Sequence, residues 1–304
     1  AQILVIDPVN ETPVLEGQEY PLDPEDFKTD YKWSAGVLAP NGKIFGIPNW
    51  RDKVLVVDYD NGVWSTQEYD LPAGLTQPGE GEYICSENTP YRWSGGVLAP
   101  NGKVYVIPSC ALEILIIDPE DIANMTYIDI TSMHTNHYFK YAGGVLAPNG
   151  KIYAIPGKTD QVLEIDPTTN TVVEIGDTLP SGDAKWRGGV LAANGKIYGI
   201  PYNSPDVLEI DPSGETASAS VLTNIALSGT SCGDGNCDLL FEDQSVCSAD
   251  CGDDLSKRWS QGVLGLNGKI YGIPGDANFV LEFDPQANGT LPSFVPLSGY
   301  FNKY

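Results

Sequence analysis

Basic residues are scarce in this chain. Its 304 residues include 17 lysines and arginines against 41 aspartates and glutamates, for a formal net charge of −24 and a sequence pI near 4.1. Because binding to a phosphate backbone depends on clustered cations, this composition argues against a nucleic-acid partner. An acidic surface instead favours solubility and association with cations.

Histidine is almost absent as well. His134 and His137 are the two histidines of the chain, so a Ser-His-Asp triad would need one of them beside an unidentified nucleophile. The His-x-x-His pair offers two metal ligands without an evident third, and an ordinary polar loop is the simpler interpretation. The carboxylates are too numerous for spacing to single out a glycosidase pair. We assign no catalytic residue, and the sequence favours a protein that is not an enzyme.

Long apolar runs and helical periods are also lacking. No apolar stretch approaches the roughly 18 residues needed to span a bilayer, so we expect no membrane span. No amphipathic period indicates a helix, whereas 33 glycines and 23 prolines are present. The chain is therefore predicted to be all-β.

One phrase recurs throughout the sequence. Gly-Gly-Val-Leu-Ala-Pro-Asn-Gly-Lys-Ile-Tyr-Ala-Ile-Pro ends at Pro156, and each of five similar copies is followed by an apolar run that ends in aspartate. The copies cover 33–48, 93–108, 141–156, 186–201 and 259–274, and the aspartates are Asp58, Asp118, Asp166, Asp211 and Asp284. Internal repetition of this kind is typical of repeat architectures.

Each repeat predicts four short antiparallel strands. The first two flank an Asn-Gly pair, the strongest short-range hairpin signal because both residues tolerate positive φ. A Val-Leu-Glu-Ile-Asp run forms the third strand, with its aspartate capping the turn, and a weaker run such as 171–175 forms the fourth. The paired glycines suit an innermost strand, where side-chain volume is limited. Four strands in about 45 residues are typical of a β-propeller blade.

The blade count depends on the two ends of the sequence. The repeats open at 33, 93, 141, 186 and 259, and Lys303-Tyr304 matches the opening of one more at 304. The run from Ile3 to Asp7 has the pattern of a third strand without its first two. We therefore predict a single six-bladed propeller domain over 1–304, or a segment of a longer run of blades. The alternative is a five-bladed ring with an improvised N-terminal strand.

The repeats resemble known propeller families. They are similar to streptogramin-lyase-like and NHL-like propellers, in which a Pro-x-Gly hairpin precedes a strand ending in Asp-Pro, here 148–150 and 166–167. The resemblance covers nearly the whole chain and implies propeller architecture, but the catalytic histidine of the lyases has no counterpart that we can place. The wording of the repeat also resembles extracellular repeat proteins of unicellular eukaryotes, to which no function is assigned. Neither likeness fixes an activity.

Cysteines and sequons point to an oxidising compartment. Cys85 precedes the first strand of its repeat, and Cys110 lies in the link between the second and third strands. Both links are expected on the same face of the blade, so the two cysteines are predicted to pair. The connectivity of the remaining four stays open: Cys232, Cys237, Cys247 and Cys251. Asn-x-Ser/Thr sequons occur at Asn10, Asn124 and Asn288. We expect a disulfide-bonded glycoprotein that is secreted or displayed at the cell surface.

The four clustered cysteines lie in the longest insertion, 228–256. There Asp234, Asn236 and Asp238 alternate as ligands do at the start of a calcium loop, and Glu242 could complete the shell. Leu239 stands where that loop requires glycine. A disulfide-bonded knob with an acidic rim is the favoured interpretation, and Ca²⁺ is the one candidate cofactor; none is required.

An aromatic residue opens each repeat: Trp33, Trp93, Tyr141, Trp186 and Trp259. A cation precedes each ring, so the pair is a candidate sugar-stacking site, as in propeller lectins. The alternative, which we favour, is that each ring wedges between blades while the cation pairs with surface acids.

From the sequence we hypothesise a secreted, non-enzymatic binding or structural assembly module. Its partner would be a protein or a glycan, including further copies of itself. A carbohydrate-binding lectin is the alternative, and a secreted lyase or hydrolase that uses the axial channel is the third hypothesis.

Overall fold

The computed structural model describes residues 3–6, 13–16, 32–49, 51–75, 92–133, 139–222, 258–277, 279–286 and 293–296. The described chain is built almost entirely of short β-strands, with one turn of 3-10 helix at Ile122–Asn124. Within the described residues, no helix is long and apolar enough to cross a membrane.

The described strands form six antiparallel sheets. β1 (Ile3–Ile6) pairs with β2 (Pro13–Glu16) in a two-stranded sheet. Each of the five repeats forms a four-stranded sheet with its strands in chain order, which we call the first to the fifth blade. The prediction of an all-β fold with four-stranded blades is confirmed.

The first blade contains β3 (Trp33–Leu38), β4 (Ile44–Pro48), β5 (Lys53–Asp60) and β6 (Val63–Asp70). The second contains β7 (Trp93–Leu98), β8 (Val104–Pro108), β9 (Glu113–Ile117) and β10 (Thr126–Asp129). The third contains β11 (Tyr141–Leu146), β12 (Ile152–Pro156), β13 (Val162–Asp166) and β14 (Thr171–Ile175). The fourth contains β15 (Trp186–Leu191), β16 (Ile197–Pro201), β17 (Val207–Asp211) and β18 (Ser218–Leu222). The fifth contains β19 (Trp259–Leu264), β20 (Ile270–Pro274), β21 (Phe279–Phe283) and β22 (Ser293–Pro296).

The chain divides into two compact units, Ala1–Phe139 and Lys140–Tyr304. The first unit holds the two-stranded sheet and the first two blades. The second unit holds the third, fourth and fifth blades. Their first strands lie side by side, because β11 contacts β15 and β15 contacts β19.

The turn between the first two strands of each blade differs from the predicted one. In the third blade, Gly150 N–H donates to Ala147 O at 3.0 Å and Ala147 N–H donates to Lys151 O at 2.9 Å. Gly150 has φ of 83°, whereas Asn149 is absent from the described residues with positive φ. This is a type I turn closed by a left-handed glycine, not a two-residue turn with both residues at positive φ. The prediction of the hairpin is confirmed, and its turn chemistry is corrected.

Consecutive blades meet where aliphatic side chains pack onto a glycine. A Cβ placed on Gly262 of the fifth blade would lie 2.5 Å from Ile200 Cδ1 and 3.0 Å from Val190 Cγ2 of the fourth. Equivalent contacts join Gly189 to Ile155 and Val145, and Gly96 to Ile47 and Val37. We call this arrangement the blade joint. It requires a residue without a side chain, which explains the second glycine of the repeated Gly-Gly pair.

Candidate functional site

The aromatic rings that open the repeats are packing elements in the described structure. Trp93, Tyr141, Trp186 and Trp259 are at most 2% exposed, and Trp33 is half-buried. Three indoles donate from Nε1 to backbone carbonyls twenty residues later: Trp33 to Lys53, Trp93 to Glu113 and Trp186 to Asp206. A sugar would need open ring faces, so this burial favours the packing interpretation over stacking with a ligand.

The cations that precede these rings are more deeply buried than expected for surface charges. Lys32, Arg92, Lys140 and Lys185 are each at most 7% exposed. Arg92 Nη1 lies 2.9 Å from Asp52 Oδ1, as the predicted pairing with acids requires. Lys185 Nζ instead donates to the carbonyls of Lys158 and Thr159, at 3.3 and 2.6 Å. Burial lowers the pKa of Lys185, while Asp160 and Asp183 oppose that effect.

The backbones of Arg92, Lys185 and Arg258 each tie their own blade to the preceding one. Arg92 O accepts hydrogen bonds from the amides of Ser109, Cys110 and Ala111, while Arg92 N–H donates to Asn49 O of the first blade at 3.4 Å. Lys185 N–H donates to Gly157 O and Arg258 N–H donates to Tyr202 O, at 3.0 and 3.1 Å. These bonds satisfy backbone groups that would otherwise be buried without partners.

A polar network recurs beside the Asn-Gly turn, and we call it the hairpin network. In the third blade, Asn149 Nδ2 donates to Tyr153 Oη at 2.8 Å, and Tyr153 Oη donates to Glu164 Oε2 at 2.8 Å. Lys151 Nζ contacts Glu164 Oε1 at 2.5 Å. Burial is the first cause that raises the pKa of Tyr153, and the Glu164 carboxylate reinforces it. The Asn–Tyr and Lys–Glu contacts recur in the fourth blade as Asn194–Tyr198 and Lys196–Glu209, and in the fifth as Asn267–Tyr271 and Lys269–Glu282.

The asparagine of this network also crosses to the next blade. Asn149 Nδ2 donates to Pro212 O at 3.2 Å, and Asn194 Nδ2 donates to Pro285 O at 3.1 Å. In the first unit, Asn41 Nδ2 donates to Pro119 O at 2.9 Å. Sequence reasoning treated these asparagines as turn formers and missed this second role. The recurrence of Asn-Gly in every repeat and of Asp-Pro in four of the five was the available signal.

Four of the five aspartates predicted to end the third strands cap their turns: Asp118, Asp166, Asp211 and Asp284. The prediction is wrong for Asp58, which lies within β5, pairs with Ser65 and contacts Lys43 Nζ at 3.1 Å. Asp166 Oδ1 accepts the amide of Thr168 at 2.8 Å, and Asp284 Oδ1 accepts that of Gln286 at 2.9 Å. Asp211 Oδ1 accepts both the amide and the hydroxyl of Ser213. These hydrogen bonds are the largest cause that lowers the pKa of Asp211. The four capping aspartates are therefore structural in the described chain.

Few of the other predicted site residues are described. Cys110 is disulfide-bonded, while the other five cysteines lie outside the described residues, so its pairing with Cys85 stays a prediction. Asn124 is exposed at the end of the 3-10 helix, with its amide donating to Asp121 at 3.0 Å. Outside the described residues lie Asn10, Asn288, His134, His137, the insertion 228–256 and its candidate ligands Asp234, Asn236, Asp238 and Glu242. Within the described part, no three His, Cys, Asp or Glu side chains are grouped to hold a metal ion.

Comparison with known proteins identifies the fold but no family. No protein-family model and no curated protein matches the chain. Among solved structures, virginiamycin B lyase from Staphylococcus aureus is similar with a TM-score of 0.62 and 12% identity, over 98% of this chain and 78% of the lyase. A streptogramin B lyase is similar with a TM-score of 0.60 and 14% identity, over 98% and 76%. Hydrazine synthase of Kuenenia stuttgartiensis gives a TM-score of 0.51 and 14% identity, over 91% and 70%.

These likenesses, at identities of 12–14%, concern the fold alone. With the six antiparallel sheets of the described chain, they establish a β-propeller of the six-bladed kind. An activity does not follow from a propeller fold, because the same fold carries many unrelated functions.

Proposed function

We propose that the chain is a secreted, non-enzymatic propeller that serves as a binding or assembly module of an extracellular or cell-surface structure. The observation that carries this proposal is that the repeated polar side chains are engaged in holding strands and blades together. Asn149, Tyr153 and Glu164 bond to one another and to the next blade, and Lys185 bonds to backbone carbonyls. The repeat therefore builds a scaffold, and recognition falls to the links that vary between blades.

The proposed compartment is supported by cysteine and sequon chemistry. Cys110 is disulfide-bonded and the Asn124 sequon is exposed, and disulfides persist in oxidising compartments. Secretion from a eukaryotic host should yield a protein without free thiols under denaturing, non-reducing conditions. Enzymatic deglycosylation should lower its mass. In Asn124→Gln this loss of mass should be smaller by the glycan attached at Asn124. Free thiols in the secreted protein would contradict the disulfide prediction.

The proposed partner is protein or glycan at the acidic surface of the molecule. Cross-linking of intact cells of the source organism, followed by mass spectrometry of the joined peptides, should connect the links between strands to extracellular components. Cross-links confined to intracellular proteins would overturn the proposal. Titration with Ca²⁺ and an Asp238→Asn control tests the calcium site proposed in 228–256.

A further inference from the structure

Three residues of the fourth and fifth blades depart from the repeat at positions where the other blades carry smaller side chains. The second residue of the first strand is serine or alanine in four blades and Arg187 in the fourth. The third residue of that strand is glycine or alanine in four blades and Gln261 in the fifth. The residue after the second strand is asparagine, serine or glycine in four blades and Tyr202 in the fourth.

These three departures lie together in the second unit. The Arg187 guanidinium carbon is 5.1 Å from the centroid of the Tyr202 ring. Gln261 of β19 lies beside Gly188 of β15, because a Cβ on that glycine would be 3.8 Å from Gln261 Cα and Cγ. Gly188 directly follows Arg187, so all three residues are grouped where the fourth blade meets the fifth. We call Arg187, Tyr202 and Gln261 the arginine cluster.

The backbone at Arg187 is irregular. β15 has one more residue than β16 between its Trp186 and Gly189 pairs, and Arg187 and Gly188 lie in this bulge. Gly188 has φ of 72°, which suits a residue without a side chain. A bulge changes the direction of the side chain that it carries, and bulges are common beside binding sites.

The arginine side chain is both exposed and oriented. Arg187 stacks on Tyr202, and its N–H groups lie in the plane of the guanidinium, so stacking on the flat face leaves its edges open. Tyr202 N–H donates to Lys185 O at 2.9 Å, and Tyr202 O accepts the Arg258 amide at 3.1 Å. The ring therefore stands on backbone fixed by two blades, and an oriented donor loses less freedom when a ligand binds.

The donors of Arg187 are not used by the described part of the chain. Within the described ranges, its side chain takes part in no ion pair or hydrogen bond. By contrast, every lysine after an Asn-Gly turn between the first two strands contacts a carboxylate: Lys43, Lys103, Lys151, Lys196 and Lys269. In a chain with 41 acidic residues, an exposed arginine of this kind is available to an anion from outside.

The chemistry of the cluster favours a carboxylate. The planar guanidinium matches a carboxylate through two parallel N–H···O bonds. The exposed Gln261 amide provides both a donor and an acceptor beside it. The net charge of −24 repels a multiply charged anion more strongly than a singly charged one. A phosphate dianion is therefore disfavoured.

We propose that the arginine cluster binds the carboxylate group of a singly charged ligand. Arg187 donates to both carboxylate oxygens, Tyr202 holds the guanidinium, and Gln261 offers a further hydrogen bond. The inference rests on the proposed binding role and adds the chemistry of the ligand. An acidic sugar and the carboxyl end of a peptide both carry this group.

The test titrates the full chain with sodium glucuronate at low ionic strength and follows binding by NMR. Glucuronate should bind saturably with a stoichiometry of one, and glucose, which lacks the carboxylate, should not bind. N-acetylglycine carries a carboxylate without a sugar ring. Equal binding of N-acetylglycine and glucuronate would show that the carboxylate alone is recognised, whereas tighter binding of glucuronate would show that the sugar is contacted as well.

Variants connect the binding to the cluster. Arg187→Ser introduces the residue of three other blades and should weaken glucuronate binding about tenfold or more, because hydrogen bonds to a charged group are lost. Arg187→Lys keeps the charge without the planar fork and should weaken binding less. Gln261→Gly should also weaken it. Lys53→Ser is the matched control, since it removes the same charge from a side chain that is 42% exposed in the first blade, and it should leave the affinity unchanged.

Several results would overturn the proposal. They are a lack of saturable binding by both carboxylates, equal binding of glucose, and tighter binding of inorganic phosphate. An unchanged affinity in Arg187→Ser, or an equal loss in Lys53→Ser, would also overturn it. The thiol, deglycosylation and cross-linking tests of the proposed function do not depend on these three residues, so the two proposals can fail separately.

Discussion

Tyr153 and Glu164 face each other on neighbouring strands of the third blade and share a hydrogen bond of 2.8 Å. The first blade places Phe45 opposite Val56 at the same positions. The chain therefore contains both a polar and an apolar version of one cross-strand pair, and the contrast allows the energetic role of the polar version to be measured.

Substitutions of Tyr153 and Glu164 should have coupled effects on the free energy of unfolding. Tyr153→Phe removes a donor from buried Glu164 and should cost about 1 kcal/mol of unfolding free energy. Glu164→Val leaves Tyr153 and Lys151 without their acceptor and should cost about 2 kcal/mol. The double variant recreates the Phe45–Val56 pair and should cost less than the sum of the two, by about 0.5 kcal/mol or more. Urea unfolding of the four proteins measures the cycle, and strict additivity would contradict the network.

Alanine substitutions at Gly189, which lies in a blade joint, and at Gly36 should cost different amounts of unfolding free energy, because the two glycines have different neighbours. A Cβ on Gly189 would lie 2.7 Å from Ile155 Cδ1, whereas a Cβ on Gly36 meets only Ile44 Cγ2 at 3.2 Å. We expect Gly189→Ala to lower the unfolding free energy by about 1–3 kcal/mol through overpacking. Gly36→Ala is the matched control and should lower it by less. Ile155→Val removes the Cδ1 atom. Added to Gly189→Ala, it should therefore recover part of the unfolding free energy lost in the single variant. Equal losses at the two glycines would refute the steric account.

Alkaline pH should destabilise the fourth blade through Tyr198. Burial is the first cause that raises the pKa of Tyr198, from 10.0 to about 12. Between these values the unfolded chain has lost the phenolic proton and the folded chain has kept it. Unfolding free energy should therefore fall as pH rises from about 10 to 12, by up to about 1.4 kcal/mol per pH unit from this residue. Unfolding free energy measured across this range should decline less steeply in Tyr198→Phe, and an unchanged slope would rule out Tyr198 as a cause.

Deamidation should be fastest at the exposed Asn61-Gly62 turn among the described Asn-Gly pairs. Asn61 has φ of 50° and an exposed side chain. Asn149, by contrast, has its side chain tied to Tyr153, Pro212 and Lys151. The glycine amide must attack the asparagine side-chain carbon, so these bonds have to break first at Asn149. Peptide mapping after incubation at mildly alkaline pH measures both rates. The Tyr153→Phe variant should deamidate faster at Asn149, and a faster rate at Asn149 than at Asn61 in the unmodified chain would oppose the prediction.

The strands could be predicted from the sequence because local chemistry determines them. Asn-Gly pairs and apolar runs located the first three strands of every repeat, and Asp-Pro marked the end of the third strand in four of them. In the first repeat Asp58 is followed by Tyr59, and β5 continues to Asp60. The burial of Lys140 and Lys185 could not be predicted this way, since lysine is ordinarily a surface residue. Their surroundings consist partly of backbone carbonyls, such as Thr159 O for Lys185, which sequence patterns do not reveal. The turn type was also mistaken, because Asn-Gly is compatible with more than one turn. The same turn forms after Ala-Pro in the third repeat, Ala-Ala in the fourth and Gly-Leu in the fifth, so the flanking residues do not decide it.

The Asn149–Pro212 bond has a consequence for how such a chain changes in length over generations. Asn149 belongs to one repeat and Pro212 to the next, and each described repeat carries both an asparagine at its Asn-Gly turn and a turn carbonyl after its third strand. A gene duplication that inserts one whole repeat therefore brings a donor for one neighbour and an acceptor for the other. Unequal recombination in phase with the repeat keeps every junction chemically matched, whereas a break inside a repeat separates the two.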